Sequence, residues 1–355
     1  MSILLLKPQD LEGLIGMKEA IDIVEQGYRE AMDFEAISAP RRRVHSPSGV
    51  RVSNFPGGVH GLGVIGSLTI SQLVQQQATT QSYAYREHFA HVLFDSDTGR
   101  MTAILLGEIT EKTLGYSSLA ALPTAATSGV GFRYLPRRDA TSVGLFGSAG
   151  QAAHQLLALT CERPISRVKV YSRNPDNRRK FAETYSRKFD LEITPVDTPR
   201  EVVRGVDVIL CATSTSLPLF DGNWLEPGQH VTGMIGSNVH LVKSGFIGAR
   251  RRELDDATAV RADVIVCNQR ELIMQDEQGD LFEPLQKGLI GIDKVGEFSE
   301  LVTGKCRSRE NREQITYHKN NSVIGISFLG IAQRAYERAK AAGRGTPIDL
   351  PDPLP

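Results

Sequence analysis

The chain has 355 residues, long enough for two domains, and carries 41 basic against 41 acidic side chains. That balance leaves no bulk field to draw in nucleic acid or an anionic membrane surface. The cysteines (Cys161, Cys211, Cys267 and Cys306) are widely spaced with no C-x-x-C pair, so they read as reduced apolar side chains of a cytoplasmic protein, neither disulfides nor metal ligands. The leading run, MSILLLKPQDLEG, is too short and lacks the basic start of a signal peptide, and no apolar stretch is long enough to span a membrane.

In chain order, residues 17–32 place Met17, Ala20, Ile21, Val24, Tyr28 and Ala31 at helical spacing. The triplet Arg41-Arg42-Arg43 follows Pro40, which fixes the chain there, so one guanidinium can turn inward to a substrate carboxylate. Residues 54–66 are dense in glycine, a sign of unusual backbone angles or of close approach to a ligand. Residues 89–106 read as a hairpin about an Asp-x-Asp-x-Gly turn, which is too short for a calcium loop. A helix is expected over 117–135, then a polar connector at Leu135–Asp139.

The organising stretch is Thr141–Arg173. An apolar strand, Ser142–Phe146, runs into Gly147-Ser148-Ala149-Gly150-Gln151-Ala152, then a helical pattern, then a second strand, Val168–Tyr171. This is a βαβ unit whose tight turn feeds a helix N-terminus, a geometry suited to a pyrophosphate. Against the pattern G-x-G-x-x-G/A, the first glycine is present as Gly147, Ala149 replaces the second and Ala152 fills the third. No Asp or Glu ends the second strand; Ser172, Arg173 and Asn174 do, with Arg178 near. Such a set suits a ribose 2′-phosphate better than a free 2′-hydroxyl, so NADP(H) is expected over NAD(H). Further strands at 191–196, 206–213, 230–235 and 262–267 alternate with helices, which implies a doubly wound parallel sheet. Ligands of such sheets lie beyond the carboxyl ends of the strands. Ala212, Thr213, Ser214, Gly236 and Ser237 are therefore candidate cofactor lining. A long helix is expected from Val323 to Ala339, packing back on the N-terminal domain.

The segments VGLFGSAGQA (143–152), VKVYSRN (168–174), GVDVILCATSTSLPLFDGNWLEPGQHV (205–231), GSN with RRELDD (251–256), LFDSDTG and TAATSGVGFRYLPRRDA together make the chain resemble the ornithine cyclodeaminase/mu-crystallin family. The resemblance implies an α/β protein: a Rossmann dinucleotide-binding domain, placed at 135–315, inserted into a discontinuous α+β substrate and dimerisation domain, placed at 1–134 plus 316–355. It implies a homodimer, a nicotinamide cofactor and a small-molecule substrate, with no metal.

The departures from the family pattern narrow the activity. The substrate-holding Lys falls at Ile65 and the clamping Arg at Pro123; only a Pro-x-Arg element survives, as Pro40-x-Arg42. Asn238 stands where cyclodeaminases have an Asp for proton transfer, and Asn does not titrate. Ornithine cyclodeamination is thus not expected. Insertions near 67–90, which bring Arg86, Glu87 and His88, and near 239–250 imply a remodelled pocket. The expected activity is a nicotinamide-dependent reduction or oxidation at a C=N, C–N or C=O bond, of the imine or ketimine reductase or amino-acid dehydrogenase type. Arg42 would hold an anionic group, Asn238 would sit at the proton-transfer position, and Lys319 or His318 would supply a proton. The other reading is a non-catalytic protein that keeps the cofactor and binds a small ligand.

Overall fold

The computed structural model describes residues 2–34, 37–75, 82–116, 120–245, 248–321 and 324–351, without the side chains of 75 and 82–88. The N-terminal part holds β1 (Ser2–Leu6), α1 (Pro8–Leu11), α2 (Met17–Asp33), β2 (Arg42–His45), β3 (Val50–Val59), β4 (Val64–Gln75), β5 (Ser82–Asp95), β6 (Met101–Leu106) and α3 (Ala121–Tyr134). Next come β7 (Ser142–Phe146), α4 (Gly150–Thr160), β8 (Arg167–Tyr171), α5 (Pro175–Phe189), β9 (Glu192–Pro195), α6 (Pro199–Val203), β10 (Val208–Cys211), β11 (His230–Gly233) and α7 (Val239–Lys243). The rest comprises α8 (Asp256–Arg261), β12 (Val264–Cys267), α9 (Glu271–Gln275), α10 (Gly279–Gln286), β13 (Val295–Glu297), α11 (Phe298–Val302), β14 (Thr316–Lys319), α12 (Gly325–Ala341) and β15 (Thr346–Asp349).

These elements form two compact units. One comprises Met1–Gln75, Tyr83–Ala126 and Val323–Pro355; the other is chiefly Thr127–Ser322. The first unit is a seven-stranded sheet in the order β15-β1-β6-β5-β4-β3-β2. Helices α2 and α12 cover one face. Phe328 of α12 packs on Phe55 with ring centroids 5.0 Å apart. The glycine-rich segment is explained here. A Cβ on Gly57 would lie 2.8 Å from the backbone of Gly325, and one on Gly325 would lie 1.9 Å from the Pro56 carbonyl. The glycines admit a helix onto a strand, where close approach to a ligand had been one expectation.

The second unit is an eight-stranded sheet, β13-β12-β14-β11-β10-β7-β8-β9. All its pairs are parallel. Both faces of such a sheet are covered, so β7, β10 and β12 are buried at every position. The chain builds outward from β7 through β8 to β9, then returns to β10 on the other side of β7. That reversal is the topological switch point, where ligands of this architecture bind. The domain boundary expected at 315 falls one strand early. Thr316–Lys319 pairs with both β11 and β12 and so belongs to the interior of this sheet. Its sequence, TYHK, is rich in polar groups and does not announce a buried strand.

Candidate dinucleotide site

At the switch point β7 is followed by Gly147, with φ +109°. A Cβ there would lie 2.2 Å from the carbonyl oxygen of Ala212, just past the end of β10. Only glycine satisfies both the angle and the approach. Helix α4 then starts at Gly150. Its N-cap is Ala149, which supplies no side-chain cap. Helices α5, α6 and α8 are capped by the side chains of Asn174, Thr198 and Asp255. The first turn of α4 thus keeps N–H donors and the positive end of its dipole for an external anion. Ala152 is fully buried, as close helix–strand packing requires, while Ser148, Gly150 and Gln151 stay partly open and Ala149 is exposed. These residues fit a pyrophosphate.

At the end of β8 the four expected residues divide. Arg173 is exposed and has no side-chain partner among the described residues. The other three are committed locally. Ser172 Oγ donates to the Asn174 carbonyl, and Asn174 Oδ1 accepts from the Asp176 amide to cap α5. Arg178 is 6% exposed. Its guanidinium donates to the Ser172 carbonyl and to Asp197, and lies over the Tyr171 ring. Arg178 therefore shapes the turn and is withdrawn from the phosphate role; a buried Arg keeps a carboxylate partner because an unpaired buried charge is costly.

Beyond β10 and β11 the loops are held from beneath. Thr213 donates both its amide, at 2.8 Å, and its hydroxyl, at 2.9 Å, to Glu253. The Met234 and Ile235 amides donate to the other oxygen of the same carboxylate, at 3.0 and 2.9 Å. Glu253 is fully buried, and burial raises its pKa while nearby Lys319 opposes the rise. Its two oxygens take three backbone amides and the Thr213 hydroxyl, the full set of four that a carboxylate accepts. Asp280 accepts from the amides of Glu253 and Leu254 and pairs with Lys319, whose Nζ also donates to the Ile235 carbonyl. Thr213 thus turns its donors inward, while the next residue, Ser214, is exposed. Gly236 has open space where a Cβ would be. Ser237 is turned in as well: its hydroxyl donates to the Asp276 carbonyl and accepts from the Val239 amide.

The residues expected to act on substrate are corrected in turn. Lys319 is fully buried, its ammonium 2.5 Å from Asp280, so it is a structural cation and no proton source. His318 is also fully buried, stacked on Phe298 and bonded to Asn268; burial lowers its pKa to about 3, leaving it neutral. Asn238 spends its amide on the Ala249 carbonyl and its carbonyl on the Arg251 amide. In the first unit, strand alternation faces Arg42 outward opposite Asn54, while Arg41 is 3% exposed. The inward guanidinium of the triplet is Arg41. Ile65 is 43% exposed. Pro123 lines a cavity of about 10 Å³ with Phe89, His91, Glu108 and Phe328. Burial lowers the pKa of His91 to about 4. Arg86, Glu87 and His88 lie outside the described side chains.

Sequence reasoning had noted RRELDD as a motif without a role, and had missed Asp280. The signal for Glu253 was an acidic residue beside an apolar one, ahead of a capped helix; nothing in the chain marked its partners, which lie up to 40 residues away. Among the described residues no group of three or more His, Cys, Asp or Glu is placed to hold a metal, and no helix is long and apolar enough to cross a membrane.

The sequence profile of the ornithine cyclodeaminase/mu-crystallin family matches residues 3–343. An uncharacterized cyclodeaminase of Sinorhizobium fredii is 31% identical over 256 residues, 72% of this chain and 71% of the relative. The Delta(1)-pyrroline-2-carboxylate reductase of Bacillus cereus is 28% identical, covering 73% of each chain. Among solved structures, the Thermococcus litoralis Delta(1)-pyrroline-2-carboxylate reductase, in complex with NADH and L-proline, superposes with a TM-score of 0.78 at 27% identity, over 97% of this chain and 99% of that one.

Proposed function

Since the chain belongs to the ornithine cyclodeaminase/mu-crystallin family, we propose that it is an NAD(P)H-dependent reductase acting on the C=N bond of a small imino or ketimino acid. The observation that carries this reading is the uncapped start of α4 behind Gly147, at the switch point of a parallel sheet. The similarity to pyrroline-2-carboxylate reductases supports the bond type. Bound there, a reduced nicotinamide supplies a hydride.

In this reading the turn Gly147–Ala152 holds the pyrophosphate, and Arg173 holds the 2′-phosphate of NADP(H). The loops at Ala212–Ser214 and Gly236–Ser237 line the other half through their backbone and Ser214. Arg41, in place of Arg42, is the better placed guanidinium for an anionic substrate group. The chemistry of the locked groups favours C=N over C=O. Reducing a ketone requires a proton for the developing alkoxide. A protonated imine brings its own proton and becomes a neutral amine on accepting hydride. With Lys319 and His318 withdrawn, the imine makes the smaller demand on the protein. The protein is also read as a homodimer.

The test is consumption of NADPH and of NADH with cyclic imino acids, linear ketimines and keto acids. Turnover of the imino acids with a preference for NADPH is expected, and Arg173→Ala should remove that preference by raising KM for NADPH about tenfold while leaving NADH unchanged. A preference for keto acids would overturn the assignment of the bond. Cofactor binding without any turnover would favour the non-catalytic binder.

A further inference from the structure

We propose that Glu253 is the positioning residue for the nicotinamide half of the site, acting through the loops it ties together and touching neither cofactor nor substrate. The proposal rests on the dinucleotide reading above. In a doubly wound sheet the two mononucleotide halves lie on opposite sides of the switch point. Here the β7–β8 side offers the open α4 turn and Arg173. The β10–β11 side offers two loops with little side-chain chemistry of their own: Thr213 and Ser237 both point inward.

What places those loops is one carboxylate. One oxygen of Glu253 takes both donors of Thr213 and the other takes the amides of Met234 and Ile235. The two loops follow adjacent parallel strands, β10 and β11, and the carboxylate joins them just past the last residue pair of that ladder. The carboxylate is itself anchored, because Asp280 holds the Glu253 amide and Lys319 holds both Asp280 and the Ile235 carbonyl. Glu253, Asp280 and Lys319 are each at most 1% exposed, so the charged centre of the arrangement is closed to water. An amide in place of the carboxylate cannot reproduce it. Its nitrogen would face either the two donors of Thr213 or the two backbone amides, donor against donor, and one loop would be released.

The experiment compares the whole cofactor with its adenosine half. Binding of NADPH, and of 2′,5′-ADP as a probe lacking the nicotinamide, is measured calorimetrically on wild type, Glu253→Gln and Glu253→Asp. Glu253→Gln should weaken NADPH at least tenfold and change 2′,5′-ADP less than twofold. Glu253→Asp keeps the charge but shortens the reach, so it should show the same asymmetry at smaller amplitude, and it serves if the Gln variant does not fold. Equal loss for both ligands, or no loss for either, overturns the positioning role while leaving the cofactor reading intact. Failure of the wild type to bind either ligand overturns both.

Discussion

Two histidines show how burial at single residues sets a measurable property. His91 and His318 are held neutral in the folded chain by desolvation, with pKa values lowered to about 4 and about 3. In the unfolded chain each takes up a proton near pH 6.5. The unfolded state therefore binds more protons below that pH, and each residue's contribution to stability, complete above about 6.5, is lost as pH falls toward the folded value. Urea unfolding between pH 7 and pH 5 should show a fall in stability, and His91→Phe should flatten it by up to about 1.4 kcal/mol per pH unit; identical slopes would show that His91 does not take part. At this scale the sequence was readable where a residue's role is local. Gly147 and Ala152 follow from a turn and the helix after it. Ser237, Asn238 and Lys319 were found as positions but not as partners, because what decides their direction is a carbonyl or carboxylate elsewhere in the chain, such as Ala249, Asp276 or Asp280.

Elements were legible where their periodicity is clean. The amphipathic α2 and the buried strands β7, β10 and β12 stand out as apolar runs or stripes. The strands β2, β3 and β4 did not, because arginine, glycine and serine interrupt the alternation. Strand β14 did not, because His318 and Lys319 are polar residues buried with partners. The meeting of β3 with α12 through Gly57 and Gly325 gives a prediction for elements. Gly325→Ala forces a methyl into the Pro56 carbonyl, so the first unit should lose about 1–3 kcal/mol, the usual penalty for overpacking. Urea unfolding of the variant checks this; an unchanged midpoint would mean that the strand and helix separate freely. Gly63→Ala meets no atom within 4 Å but requires φ +69°; it is the comparison in which only backbone strain operates.

For the whole molecule, the seven-stranded sheet is covered on one face and bears Arg42, Val44 at 68% exposure and Ile65 at 43% on the other. An uncovered sheet face that bears exposed apolar side chains suits self-association. The proposed homodimer is expected to use it, so Ile65→Asp combined with Val44→Asp should shift sedimentation from dimer to monomer without altering the far-ultraviolet spectrum. A dimer that persists would place the interface elsewhere.

The same sheet lies on either side of the other unit in the chain. Its strands β1 to β6 leave the ribosome early, but α12, which seals Phe55 and Gly57, and β15, which pairs with β1, are synthesised only after Thr127–Ser322. A nascent chain thus carries an unsealed apolar surface while the nucleotide-binding unit is completed, and long-range contacts of this kind close slowly. The early strands accordingly wait through the synthesis of a whole second unit before their own partners exist.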